Sequence, residues 1–195
     1  MKKVILVIFS AVSVAVTSAQ VQFGVKAGYN LANFTTSGDA SGMSAKSKSD
    51  FSAGLLASLP LFSSCYLQPE VMYSGQGASG SDLGTDVKLD YSYLNVPVLF
   101  KYQHSTGLFA ETGPQIGFLL SASFKEAGQS SDEKASSQSV DFSWAFGLGY
   151  KLKNMPLGID ARYNLGLTNV NKNGSAGTVK NSVFQFGLFY MFGKQ

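Results

Sequence analysis

Enzymatic chemistry needs a nucleophile or an activated water with a base held within hydrogen-bond reach, and this chain offers few such groups. It has one histidine, His104, and one cysteine, Cys65. His104 falls in Gln103 to Thr106, a segment without periodicity that reads as a solvated turn. A single cysteine excludes an intramolecular disulfide and a Cys-rich zinc site. Asp82, Asp86 and Asp90 recur at every fourth position and Asp132 adjoins Glu133. Such carboxylates could take Ca²⁺, yet they lack the Gly-centred ligand order of an EF-hand. Gly24-x-x-x-Gly28 matches a helix-packing motif by spacing only, because the residues around it alternate with a period of two. Nucleotide and DNA fingerprints are missing. No catalytic residue, metal site or cofactor is expected, and the chain is not read as an enzyme.

What remains is a set of charges embedded in apolar runs: Lys26, Glu70, Lys101, Glu111, Asp141, Asp160 and Arg162. Their positions follow from the elements that carry them. Asp141 to Leu152 reads D-F-S-W-A-F-G-L-G-Y-K-L. One parity holds Phe142, Trp144, Phe146, Leu148, Tyr150 and Leu152, and the other Asp141, Ser143, Ala145, Gly147, Gly149 and Lys151. A period of two is a strand with one bulky apolar face and one small or polar face. Tilted near 45°, a strand of this length rises roughly 28 Å, the thickness of a bilayer's apolar layer.

The same alternation recurs along the chain in Val21 to Phe34, Asp50 to Leu59, Cys65 to Ser74, Leu89 to Tyr102, Gly107 to Ser121, Leu157 to Leu167 and Ser182 to Phe192. This predicts an all-β chain: an eight-stranded antiparallel up-and-down barrel. The intervening segments alternate long and short. Thr35 to Ser49, Gly75 to Lys88, Ala122 to Val140 and Thr168 to Asn181 are four long polar loops, while Pro60 to Ser64, Gln103 to Thr106 and Lys153 to Pro156 are three tight turns. That asymmetry belongs to outer-membrane barrels, whose long loops face outward and whose turns face the periplasm.

Residues 1–19 read as a cleaved signal peptide: Lys2 and Lys3, an apolar stretch from Val4 to Val16, and the small residues Thr17-Ser18-Ala19. That stretch is shorter than the roughly 20 residues a spanning helix needs. Residues 20–195 then form the barrel domain. Cys65 lies too far from the cleavage site to carry the lipid of a lipoprotein. Removing the two leader lysines leaves 13 basic against 12 acidic residues, in place of a formal charge of +3. Nucleic acid binding loses its electrostatic motive.

Alternation alone does not say which face is inside, since a soluble lipocalin-like barrel has the same strand count with an apolar calyx. Two observations decide for the membrane. Glycines such as Gly24, Gly28, Gly113, Gly117, Gly147, Gly149, Gly158 and Gly187 crowd the non-bulky face, as a narrow lumen requires. That face is also too poor in charge for a soluble exterior. The seven charges therefore collect in the lumen, where they form either a selective polar pore or a salt-bridged plug, and the narrowness of eight strands favours the plug. Phe142, Trp144, Phe146, Tyr150, Tyr190 and Phe192 become membrane-facing aromatics, with strand-end members in interfacial girdles.

Six stretches, FGVKAGYNLANF (Phe23 to Phe34), LQPEVMYSGQG (Leu67 to Gly77), YLNVPVLFKY (Tyr93 to Tyr102), GPQIGFLL (Gly113 to Leu120), DFSWAFGLGY (Asp141 to Tyr150) and ARYNLGLTNV (Ala161 to Val170), resemble the OmpX-like, PorT-type outer-membrane β-barrel family of Bacteroidota. Asn95 departs from that pattern, which more often has an acidic residue there. The resemblance implies an integral, multi-pass barrel of the cell outer membrane and no defined activity. Three roles follow as expectations: a structural or surface-interaction protein working through its loops, a narrow channel for small solutes, or an accessory barrel of a secretion or gliding apparatus. The expected partners are outer-membrane lipid and lipopolysaccharide, the barrel-assembly machinery during biogenesis, and an extracellular protein met by the loops. Lys46, Lys48, Lys125, Lys134, Lys172 and Lys180 are the loop cations placed to meet lipopolysaccharide phosphates.

Overall fold

A computed structural model describes residues 21–37, 46–82, 85–126, 129–132, 138–169 and 178–193. The expected leader, residues 1–19, lies outside the described residues. Nine strands form in chain order: β1 Gln22–Ser37, β2 Lys46–Phe62, β3 Cys65–Asp82, β4 Thr85–Gln103, β5 Leu108–Glu126, β6 Gln129–Asp132, β7 Val140–Lys151, β8 Leu157–Gly166 and β9 Thr178–Met191. Every pairing is antiparallel. The sheet runs β4-β3-β2-β1-β9-β8-β7-β5, and β4 pairs back onto β5, so eight strands close on themselves with no free edge. The short β6 pairs only with the far end of β5, from Glu126↔Gln129 to Ser123↔Asp132.

Closure satisfies every strand's backbone laterally, which is what a sheet surrounded by hydrocarbon needs. Alternation then sorts the side chains. Along β7 and β8 exposed and covered residues alternate with few exceptions. Phe23, Leu55, Leu108, Leu148, Ile159 and Leu188 stand fully out from the wall. An exterior of this kind matches lipid rather than water.

The strands run further than the sequence pattern suggests. Residues 75–82 and 85–88, read as loop, continue β3 and β4 as a paired ribbon, with Gly75↔Ser92 through Asp82↔Thr85 in register. Residues 35–37 and 46–49 likewise extend β1 and β2, residues 122–126 extend β5, and residues 178–181 extend β9. Their Ser, Gly and Thr side chains carry no apolar face to mark them, yet the ladder hydrogen bonds of the ribbon continue regardless of pattern. A register shift at Ser92/Tyr93 leaves one extra residue on β5. This bulge breaks the parity, so Leu120 and Ser121 are both exposed. At the opposite end the connections are tight: Ser63 and Asn154 take positive φ (39° and 62°), as does Gly107 (102°) in the turn between β4 and β5. Asn tolerates that region well, and Gly enters it without steric cost.

Candidate functional site

The lumen is layered, and register dictates the layers. From the turn side upward, the inward residues of β1 are Gly24, Lys26, Asn30 and Ala32, those of β9 are Met191, Phe189, Gln185 and Val183, and those of β8 are Asp160, Arg162 and Asn164. Nearest the turns lies an apolar layer of Leu56, Phe109, Phe189 and Met191. The Phe109 and Phe189 rings meet edge to face, with centroids 6.0 Å apart. Glycines make the room for them: a Cβ on Gly149 would collide with the Phe109 ring, and one on Gly158 would lie 2.8 Å from Phe189 Cε1.

Above this is the charged layer. The Arg162 guanidinium donates from Nη1 to Glu70 Oε2 and from Nη2 to Glu70 Oε1, both at 2.9 Å. It also donates from Nε and Nη2 to Glu111 Oε1, at 2.9 and 2.6 Å. One side chain of β8 thus ties β3 and β5 across the lumen, and it is 2% exposed. Lys26 Nζ meets Asp160 Oδ1 at 2.7 Å, joining β1 to β8. Lys101 is held differently. Its ammonium donates to Gln68 Oε1 at 3.3 Å and sits 3.7 Å from the Phe109 ring centroid, and Gln68 in turn donates to Glu70 at 2.8 Å. A fork such as this suits Arg because its planar donors match a carboxylate's two oxygens.

The third layer is neutral and polar. Asn30 Nδ2 donates to Ser74 Oγ (2.9 Å) and to Gly75 O (3.0 Å), while Gln185 Nε2 donates to Asn30 Oδ1 (3.1 Å) and Ser52 Oγ (2.8 Å). Gln76 donates to Ser74 and accepts from Asn181. At the loop-side mouth, Lys48 lies between Asp50 (2.7 Å) and Asp90 (2.8 Å).

The structure brings Lys26, Glu70, Lys101, Glu111, Asp160 and Arg162 into one layer. Asp141 does not join them. It is buried near the loop-side end of β7, where the Thr168 hydroxyl donates to its carboxylate. Four further expectations are corrected. Lys48 is a loop cation by sequence, but β2 starts at Lys46 and the register turns Lys48 inward onto Asp50 and Asp90. Lys46, Lys125 and Lys180 fall within β2, β5 and β9 rather than in loops, while Lys134 and Lys172 lie outside the described residues. Asp82 and Asp86 fall in β3 and β4. Asp90, the last of the carboxylate series that the sequence spaces around the second loop, is an ion-pair partner of Lys48 instead.

Sequence reasoning missed the apolar layer and the Lys48 cluster. A signal for the first was present: near its end β9 reads F-G-L-F-Y-M-F, apolar on both faces. Outside the wall, Phe142, Trp144, Phe146, Tyr150, Tyr190 and Phe192 all project outward. The Trp144 indole N–H is not left unsatisfied there, because it donates to Thr112 Oγ1 on β5 at 2.8 Å. His104 sits in the turn between β4 and β5, its Nδ1 3.0 Å from Thr106 Oγ1. Among the described residues no three His, Cys, Asp or Glu side chains converge to hold a metal.

Comparison with known proteins agrees with this architecture. Neisserial surface protein A is 18% identical and superposes with a TM-score of 0.56 over 87% of this chain and 97% of its own. Ail, the attachment invasion locus protein of Yersinia pestis, is 17% identical over 88% of this chain and 98% of its own, with a TM-score of 0.49. OprG from Pseudomonas aeruginosa is 13% identical over 90% and 98%, with a TM-score of 0.46. At 18% identity the likeness to Neisserial surface protein A is one of fold. No curated protein matches the chain in sequence. The family model described as "Outer membrane protein beta-barrel domain" matches residues 16–172. With the closed barrel, its apolar wall and that match over most of its length, the chain belongs to the outer membrane protein beta-barrel domain family and is an outer-membrane barrel.

Proposed function

We propose that the protein is a closed, non-enzymatic and non-conducting barrel that spans the outer membrane as a rigid support, with its working surface at the loop-side end. One observation carries the reading: the lumen is filled twice over. The Arg162–Glu70–Glu111 and Lys26–Asp160 pairs cross it at one level, and Leu56, Phe109, Phe189 and Met191 fill it at the next. A solute would have to break buried ion pairs and displace packed rings in succession, and each step is costly. In this reading the turns around Ser63, His104 and Asn154 face the periplasm, the extended β3–β4 ribbon reaches outward beyond the apolar band, and lipid covers the wall.

Planar-bilayer recording of the refolded chain, alongside its unheated gel mobility, tests this. A compact, heat-modifiable species that is electrically silent is the expected result. Steady conductance steps from that folded species would overturn the reading in favour of a narrow channel.

A further inference from the structure

At the turn side, bordering the apolar layer, lies a cavity of about 320 Å³ lined by Lys101, Lys151, Tyr66, Gln103, Gln22 and Ser58, with Phe189 and Met191 as its apolar floor. It continues through Tyr66, Gln103 and Lys151 into a wider opening of about 500 Å³ that adds Lys153 and His104. Among the described residues no carboxylate lines either space. The carboxylates of the charged layer are already engaged: Glu70 and Glu111 by Arg162, and Asp160 by Lys26. Lys101 is buried; its ammonium has a long bond to Gln68, sits over the Phe109 ring and feels the charges of Glu111, Asp160 and Glu70 without making a direct ion pair among the described residues. Lys101 of β4 and Lys151 of β7 thus both line one concave space, together with the hydroxyl- and amide-bearing Tyr66, Ser58, Gln22 and Gln103.

We infer that this vestibule is a binding site for a phosphoryl group, presented by a small phosphate compound or by a phospholipid headgroup at the membrane surface. The donor set selects the class. A carboxylate is best met by a planar arginine fork, and the lumen's Arg162 is spent on Glu70. Lysine ammoniums act as compact point charges, and with hydroxyls and amides approaching from several sides they suit a tetrahedral oxyanion with several terminal oxygens. The cavity is larger than one phosphate, and its Phe189–Met191 floor accommodates an apolar or neutral remainder. The site goes beyond the non-conducting reading and does not depend on it.

The test is a ³¹P titration of the refolded barrel in phosphate-free buffer. One arm uses inorganic phosphate with the protein in a nonionic, phosphate-free detergent. The other uses phosphatidic acid at a few mole per cent in phosphatidylcholine nanodiscs. Saturable broadening of at least one phosphate resonance is expected, in the first arm for a soluble source and in the second for a headgroup. Lys101→Met and Lys151→Gln should each weaken it about tenfold or more, the range for losing a charge-assisted hydrogen bond. Lys151→Arg should retain binding, and so should Lys180→Gln on β9 near the opposite mouth. If Lys101→Met does not fold, the Lys151 pair of variants decides. No saturable binding in either arm, or binding indifferent to both lysines, would overturn the assignment.

Discussion

Arg162 shows how a single residue can be indispensable without adding net stability. Its guanidinium satisfies two carboxylates that are themselves buried. Burying such a cluster costs desolvation that the attraction roughly offsets, so the network contributes less to stability than its hydrogen bonds suggest. Removing one member is another matter. Arg162→Leu strands Glu70 and Glu111 in the lumen without their hydrogen-bonded ion-pair partner, and should cost about 3–5 kcal/mol, seen as a lower midpoint in urea unfolding from lipid vesicles. Adding Glu70→Gln and Glu111→Gln to Arg162→Leu should recover most of that loss, since the stranded charges are gone. A triple variant as unstable as Arg162→Leu alone would mean that the arginine matters through packing instead. The membership of this layer was legible in sequence because parity sets each charge on the inner face. Its pairings were not, because Arg162 meets Glu70 only through the register and tilt of the four strand pairings that separate β8 from β3 in either direction around the wall.

At the scale of the element, the strands are defined by what faces inward as much as by what faces out. The outward face is generic, and almost any bulky apolar residue serves there. The inward face is cut to fit, with Gly149 and Gly158 set against the rings of Phe109 and Phe189, and Gly147 placed where an added Cβ would come 2.8 Å from Glu111 Cγ. Gly158→Ala should therefore push Phe189 out of place and cost about 1–3 kcal/mol, as overpacking does. The temperature at which the compact gel form converts to the slow one would fall accordingly. Pairing it with Phe189→Leu should restore part of the loss, whereas additive effects in the double variant would show that Gly158 does not accommodate the ring. The inner glycines were visible in the sequence as crowding on one parity. Which large side chain each accommodates was not, since that partner lies on a neighbouring strand. Strand ends were hidden for a different reason: beyond the bilayer the ribbon of residues 75–82 and 85–88 has no apolar face, so pairing continues where the pattern stops.

For the whole molecule, the two fillings of the lumen act in series, and that arrangement makes a sharper prediction than silence alone. Leu56, Phe109, Phe189 and Met191 block the turn-side third, while the Arg162 and Lys26 ion pairs block the middle. Either barrier should suffice without the other, because ions cross neither a dry ring cluster nor a tightly paired charge layer readily. Phe109→Ala with Phe189→Ala should leave the barrel electrically silent, and so should Arg162→Leu with Glu70→Gln and Glu111→Gln, which dissolves the arginine network but keeps Lys26, Asp160 and Lys101. Only the combination should yield steady conductance steps in planar bilayers, provided the combined variant still migrates as a folded, heat-modifiable species. Conductance from the double phenylalanine variant alone would show that the charge layer is a polar path rather than a plug. In that case the charged layer, left open once the rings are removed, would be the place to look for solute selectivity.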